Sequence, residues 1–575
     1  MINKYIKFRV FLVGLAFIAL FGVIGAKAVY LQVYRGPWLA QKASNQYEQS
    51  LKSSGKRGTV YDRNLREMAV TIDVTSIGAR TSKIKHPKAA SRTLAKILKT
   101  DRRYILKKLK SKGPFVWIKR QASPKETAAV KSLNLEGIEF VPERNRFYPN
   151  KTLASQAVGF TGLDGYGLEG IEFSYDDFLR GSAGKHTVFK DAMGNVFNEE
   201  QKTGRHTSGH NIILTIDRAV QYIAESSLEE AVKEYSARSG MVIVMEPQTG
   251  AVLAMAHVPF FNPNSYSDFN KELWRNRAIT DPFEPGSTMK IFSAAAAIES
   301  ANIRAQDIFY CENGAYKIGR NVVHDIKKHG WLSLQQIVKY SSNIGAVKIS
   351  EKVGAKRLYQ MFRKFGFGSK TEIDSPGETA GSLAPYKNWT TVDTGSIAFG
   401  YGVSVSAIQL VTAVSAIAND GVLMRPYLVQ AITDQSGEPL KQFQPQAVRR
   451  VLSKKTALTV KAIMKTVTTK GGTGVNAALD GYTVCGKTGT ARKLDKSGTY
   501  SNNRHMASFV GFTPADNPKL AILVVIDEPK GKYYGGTVAA PVFRRIAREA
   551  LNYLNIPPRS GMKRFANSRR IEASG

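Results

Sequence analysis

Residues 284–300 read EPGSTMKIFSAAAAIES, a loop ending in proline and glycine followed by an Ala-rich run of strong helix formers. The helix is predicted to begin at or just after Ser287. Lys290, three positions on, then lies on the same helical face, so its amine can approach the Ser287 hydroxyl. A free serine is a poor nucleophile. A lysine kept neutral by desolvation or by a second cation can serve as its base, and the free N–H groups where the helix starts can hold a developing oxyanion.

A Ser-x-x-Lys match alone is weak, and four others begin at Ser53, Ser82, Ser182 and Ser560. None stands at a loop-to-helix step with companions, and all four read as surface residues. Ser287 has two companions. Ser341-Ser342-Asn343 lies 54 residues on, at a polar step between helical segments, and Lys487-Thr488-Gly489-Thr490 lies 146 residues beyond Ser341 within the strand-like run GYTVCGKTGTA. Around them, Asn211–Ile216 reads as a strand, and Asp217 is placed to cap a helix running to about Tyr235. Ser239–Met245 and Ala251–Ala256 flank a Pro- and Gly-containing turn, and the chain later reads strand, strand, helix over Ala507–Phe512, Leu520–Ile526 and Val542–Leu551. Strands at both ends of a helical middle predict an α+β domain with one central antiparallel sheet.

The 575 residues carry a formal charge of +36, and residues 1–150 alone hold 30 basic and 9 acidic side chains. Such a field suits an anionic membrane surface, an acidic polymer or nucleic acid. Two cysteines, Cys311 and Cys485, exclude a disulfide-dense scaffold and a four-cysteine zinc site, and their pairing cannot be read from sequence. Val10–Ala26 is seventeen residues without charge, and with Ala28–Leu31 beyond Lys27 the span reaches the ~20 residues needed to cross hydrocarbon. The run is longer than a signal-peptide core, so an uncleaved anchor over residues 10–31 is expected. Lys4, Lys7 and Arg9 put residues 1–9 in the cytoplasm and the remainder outside, which removes nucleic acid as a partner. Residues 32–208 read as a small mixed α/β domain, helical and heavily basic between about Lys85 and Lys131, with its lysine runs forming a solvated face. Residues 209–555 form the α+β domain, and 556–575 a basic disordered tail.

Ser-x-x-Lys, Ser-x-Asn and Lys-Thr-Gly in this order resemble the signature of penicillin-binding proteins. The front of the chain sharpens the likeness. Residues 57–63 (RGTVYDR) resemble the opening motif of the non-catalytic pedestal of class B penicillin-binding proteins, and residues 144–149 (RNRFYP) and 165–170 (GYGLEG) resemble its later motifs. A glycine often follows the Asp-Arg pair where this chain has Asn64-Leu65, which leaves the geometry of that turn open. The absence of C-terminal repeat domains and the closing pattern at 534–543 (YGGTVAAPVF) are most similar to the division-specific, FtsI-type transpeptidase. The elongation-specific relative is the nearest competitor.

The resemblance implies a peptidoglycan D,D-transpeptidase of the inner membrane that is acylated by β-lactams and cross-links stem peptides ending in D-alanyl-D-alanine. Ser287 would be the nucleophile, Lys290 its base, Lys487 a second cation and Ser341 a proton relay, with the Asn343 amide holding the peptide. Thr488 and Thr490, either side of Gly489, would offer hydroxyls to the substrate carboxylate, and the N–H groups of Thr490 and Ser287 would form the oxyanion hole. With no room for a glycosyltransferase domain, the resemblance implies a SEDS-type (FtsW-like) partner and other divisome proteins. No residue obviously fills the place of a deacylating glutamate, which argues for transfer over a β-lactamase. A D,D-carboxypeptidase and a non-catalytic β-lactam sensor stay open. No metal or cofactor is expected: His324 and His329 read as surface groups, Cys485 as a core residue, and Arg57 and Glu169 as a structural pair across the pedestal.

Overall fold

The computed structural model describes residues 3–39, 42, 48–53, 55–181, 184–190, 196–200, 208–495 and 497–558. Ser182, Ser560 and residues 559–575 of the basic tail lie outside them. Two units divide the chain, residues 1–56 with 181–208, and residues 57–180 with 209–575. The first holds helix α1 (Asn3–Val29), with exposed Phe11, Phe17, Ile18 and Phe21 along it. Among the described residues it belongs to the one helix, Lys4–Tyr34, long and apolar enough to cross a membrane. The same unit contains a three-stranded antiparallel sheet in which Gly184–Lys190 pairs with both Glu48–Ser53 and Val196–Glu200.

In the second unit, residues 57–180 build a mixed sheet and a small helical layer. Strand β1 (Val60–Tyr61) pairs with β2 (Glu67–Ala79). The stretch read as helical from Lys85 to Lys131 is two helices, α2 (Pro87–Leu98) and α3 (Arg102–Leu109), then strand β3 (Val116–Ala122) and α4 (Pro124–Lys131). The strand forms because Val116, Trp117 and Ile118 are β-branched or aromatic and find a partner in β2, where Ala79 faces Val116. Ile118 and Ala122 are buried with Leu94, Leu98, Ile105 and Leu109 of α2 and α3, and the lysines stay outside, as the solvated face requires. β4 (Ile138–Phe147) closes the other side of β2.

The turn at Asn64-Leu65 has a definite geometry. Asp62 Oδ1 accepts from the N–H groups of Asn64 and Arg66, both at 2.8 Å, and Leu65 sits at φ 61°, left-handed backbone that glycine enters without strain. Arg57 does not pair with Glu169. It donates to Glu172 Oε2 (2.7 Å) and Asp176 Oδ1 (2.5 Å), and Arg146 Nε donates to Glu172 Oε1 (2.6 Å). Glu169 ends a strand, and the helix Gly170–Ser174 that follows swings Glu172 into the core, fully buried between the two guanidiniums. These hold its carboxyl below the usual range against burial, which pushes the other way; burial raises Glu169.

Strand β5 (Asn211–Leu214) runs parallel to β1 and joins the two halves of this unit. Asp217 caps α5 (Arg218–Glu234) by accepting from Ala219 N at 2.9 Å. Five strands make the central sheet: β6 (Ser239–Met245), β7 (Val252–Val258), then, late in the chain, Cys485–Leu494, Tyr500–Thr513 and Leu520–Asp527. Among the described residues Cys485–Leu494 pairs only with Tyr500–Thr513, at the edge of the sheet. All pairings in the sheet are antiparallel. One face carries α5 and Ala540–Tyr553, and the other carries the helical middle. At its centre is α6 (Met289–Ala301), whose residues 289–297 are all buried; small alanines let neighbouring helices approach on every side.

Candidate active site

Ser287 stands on a single helical turn, Gly286–Thr288, just ahead of α6. Gly286 takes φ 55° and donates its N–H to Gly400 O (3.1 Å), and a Cβ on Gly400 would lie 2.0 Å from Gly286 O. Glu284 braces the loop before it, accepting from Gly402 N (2.8 Å) and the Tyr500 hydroxyl (2.9 Å). The serine is thus fixed through the residues that precede it and remains half-buried.

The second wall is the step between α7 (Leu334–Tyr340) and α8 (Asn343–Val353). Ser341 terminates α7 at φ 62°, a conformation that costs a non-glycine residue free energy and persists where surroundings enforce it. The enforcing contacts come from Asp325. Its carboxylate accepts from Ser342 Oγ (2.5 Å), Asn343 N (2.5 Å) and Ile344 N (3.0 Å), while Ser342 Oγ accepts from Gly345 N (2.8 Å). The third wall is the edge strand, here β10 (Cys485–Leu494), with its hairpin partner β11 (Tyr500–Thr513) behind it. A side chain at Gly489 would place a Cβ 2.2 Å from Ser508 Oγ on the neighbouring strand and 3.0 Å from both Pro285 O and Thr288 Cγ2, so a larger residue would press this strand away from the serine turn. Gly535 makes the same allowance for the loop above, where a Cβ would meet Gly489 O at 2.3 Å.

The three stretches converge. Lys290 Nζ lies 2.9 Å from Ser287 Oγ, 2.7 Å from Asn343 Oδ1, 2.6 Å from Ser341 O and 3.2 Å from Ser341 Oγ. Lys487 Nζ donates to the same Ser341 Oγ (2.9 Å) and to Thr488 O (3.0 Å). Both lysine side chains are buried, and neither forms a salt bridge among the described residues. Burial lowers Lys290 to about 7, opposed by the Asp325 carboxylate. Burial and the neighbouring Lys290 drive Lys487 well below its ordinary range. Two ammonium groups cannot both stay charged here, so the pair holds at least one free base near neutral pH.

The remaining sequence-derived residues have mixed placements. Thr490 Oγ1 accepts from Gly535 N (3.1 Å), which leaves its own proton to donate. Thr488 Oγ1 instead donates to Thr473 Oγ1 (3.0 Å). Both ends of the Asn343 amide are engaged, Oδ1 by Lys290 and Nδ2 by His324 O (3.0 Å). His324 is exposed, and His329 stacks on Tyr340 with ring centroids 5.2 Å apart. Among the described residues no three His, Cys, Asp or Glu side chains could hold a metal. Cys311 and Cys485 are free and buried, and burial pushes the Cys485 thiol up to about 12. Sequence reasoning missed Asp325 and Thr473. Thr473 lies in the glycine-rich step Gly471–Gly474 ahead of β10, a signal for a turn aimed at that strand.

The penicillin-binding protein transpeptidase domain family matches residues 240–548, and the penicillin-binding protein dimerisation domain family matches residues 52–214. The chain is 36% identical to the probable peptidoglycan D,D-transpeptidase PenA of Neisseria gonorrhoeae, over 96% of this chain and 93% of that protein. It is 32% identical to the peptidoglycan D,D-transpeptidase FtsI of Escherichia coli K12 (95% and 92%), and 33% identical to the stage V sporulation protein D of Bacillus subtilis (97% and 87%). Its structure is similar to penicillin-binding protein 3 of Mycobacterium tuberculosis complexed with aztreonam, with a TM-score of 0.69 and 28% identity over 88% of this chain and 98% of that one. A serine, two lysines and the strand that carries one of them are thus set in the framework these proteins share, and the chain belongs to the class B penicillin-binding proteins as a serine-type peptidoglycan D,D-transpeptidase.

Proposed function

We infer that Ser287 is the acylated residue and that the enzyme works in septal wall synthesis. The observation that carries the chemistry is the 2.9 Å contact between Ser287 Oγ and a buried Lys290 whose pKa burial lowers to about 7. Neutral Lys290 accepts the serine proton as Oγ bonds to the carbonyl carbon of the penultimate D-alanine. The N–H groups of Ser287 and Thr490 take the oxyanion, a contribution of about 100–1,000-fold per donor. The tetrahedral adduct breaks at its C–N bond, and the departing D-alanine takes its proton through Ser341, which touches both lysines. Lys487 and the Thr490 hydroxyl receive the substrate carboxylate, whose charge favours a protonated Lys487. An amine from a second stem then attacks the ester; the new C–N bond forms, the C–O bond to Ser287 breaks, and the amine proton returns to Oγ. Labelled penicillin tests this: one lasting adduct on Ser287, absent in Ser287→Ala, supports it, and rapid turnover or an adduct elsewhere overturns it.

Lys4, Lys7 and Arg9 before α1 support a cytoplasmic N-terminus, an inner-membrane anchor and a catalytic domain on the outer side. The division into a pedestal (32–208) and a transpeptidase domain (209–555), and an FtsW-like glycosyltransferase partner, belong to the same reading. The septal role is supported by the closing pattern Tyr534–Phe543 and by likeness to FtsI. Depletion in the host separates it from lateral-wall synthesis: filaments support division, and rounded cells overturn it.

A further inference from the structure

Between β7 and α7 a small hairpin stands at the rim of the cleft. Its strands, β8 (Ala315–Ile318) and β9 (Asn321–His324), pair in register Ala315 to His324 and Lys317 to Val322. One face is pinned to the body of the domain. Tyr316 lies under Lys348 Nζ (3.6 Å to the ring centroid) and donates its hydroxyl to Glu351 Oε1 (2.9 Å), both residues of α8. The hairpin end is tied directly to the catalytic corner, since His324 O accepts from Asn343 Nδ2 and Asp325 grips the start of α8.

The opposite face and the loop after it point to solvent with a distinctive chemistry. Val322, Ile326 and Trp331 are exposed, Ile326 at 79% and Trp331 at 64%. Lys317, Arg320, Lys327 and Lys328 stand exposed among them. The acidic groups nearest in sequence are engaged elsewhere: Glu312 with Lys348, Asp325 with residues 342–344, Glu351 with Tyr316. The strip leads toward the site, because His329 stacks on Tyr340, the residue before Ser341, and Thr473 N bonds to Lys339 O (3.4 Å) on the way to Thr488.

This surface adjoins the Ser341–Asn343 wall of the cleft. On the reading above, the donor carboxylate is held by β10, so the second peptide must approach from the Ser341–Asn343 side. That peptide is a stem of the same polymer and ends in its own carboxylate. We propose that residues 315–331 form the acceptor subsite, in which Lys327 and Lys328 attract the carboxylate of the incoming stem peptide and Ile326 and Trp331 cover its apolar side chains. The subsite rests on the transpeptidase chemistry assigned to Ser287, yet the two are separable, because acylation needs only the donor.

The test uses full-length detergent-solubilised enzyme, a thioester analogue of the donor, and an amine acceptor peptide made with either a free or an amidated C-terminus. Penicillin acylation is measured alongside. In Lys327→Glu/Lys328→Glu, acylation stays at the wild-type rate while transfer to the free-carboxylate acceptor, relative to hydrolysis, falls about tenfold. Salt lowers wild-type transfer toward the same level. The amidated acceptor is poor with both enzymes and shows no further loss in the variant. Ile326→Ser lowers transfer to both acceptors. Unchanged transfer in the double variant, or an equal loss with the amidated acceptor, overturns the subsite. Loss of wild-type penicillin acylation would instead strike at the Ser287 reading.

Discussion

Two clusters of buried charge in one compact unit are built on opposite principles. In the pedestal, Arg57 and Arg146 close on Glu172, with Asp176 and the Tyr148 hydroxyl (3.4 Å) completing the set. Charge there meets opposite charge, and against the opposing pull of burial the two guanidiniums keep the Glu172 carboxyl below its usual range. In the cleft, Lys290 and Lys487 share one serine hydroxyl, and among the described residues no carboxylate touches either amine. There, burial outweighs the opposing pull of the Asp325 carboxylate on Lys290 and reappears as lowered proton affinity. The same penalty for removing charge from water thus serves architecture in one place and base chemistry in the other.

Removing a member from each cluster separates them most sharply. Lys290→Met is expected to slow penicillin acylation by about 1,000-fold, within the usual range for loss of a general base. Because it removes a desolvated amine, its thermal midpoint should hold or rise. Glu172→Gln should do the reverse, lowering stability to denaturant by about 3–5 kcal/mol while the folded fraction acylates at the normal rate. If Lys290→Met unfolds the protein, or Glu172→Gln leaves it as stable as before, the contrast fails. Gly489→Ala probes how closely the walls of the cleft must approach, and its crowding of Pro285 O and Thr288 Cγ2 at 3.0 Å should cost acylation about 100-fold.

Acidity distinguishes the clusters next. Acylation should rise about tenfold per pH unit and level off near pH 7, as Lys290 sheds its proton. The unfolded chain binds more protons than the folded one between about 7 and the ordinary lysine range of about 10.4, so Lys290 makes stability increase with pH over that window. The depressed Glu172 carboxyl contributes stability above the ordinary carboxylate range of about 4.3, lost as pH falls below it. Urea titrations of wild type and Lys290→Met across these ranges check both directions. The smallest effect concerns backbone strain: Leu65→Gly should add about 1 kcal/mol to stability and leave acylation untouched.

The sequence makes the cleft legible because its three motifs are local and each announces its element: a Pro-Gly loop before alanines, a polar break between helices, a strand with a glycine. The pedestal is less legible. Val116–Ala122 is bounded by lysine-rich helices that set the apparent period, and only its pairing with β2 makes it a strand. Glu172 is chosen over Glu169 by one turn of a five-residue helix, a rotation that no spacing rule supplies. Asp325 is invisible as a partner of Ser342 and Asn343, because its position depends on a hairpin bent back over α8.

The two unpaired thiols lie on different walls of the cleft. Cys485 precedes Lys487 by two residues on β10, and Cys311 Sγ sits 3.7 Å from Ser342 Oγ. A thiol reagent entering at either point can do so only when that wall breathes. The chain therefore carries a native two-channel clock, in which alkylation kinetics resolved by peptide mass would time the loosening of each side separately and show which one an antibiotic freezes.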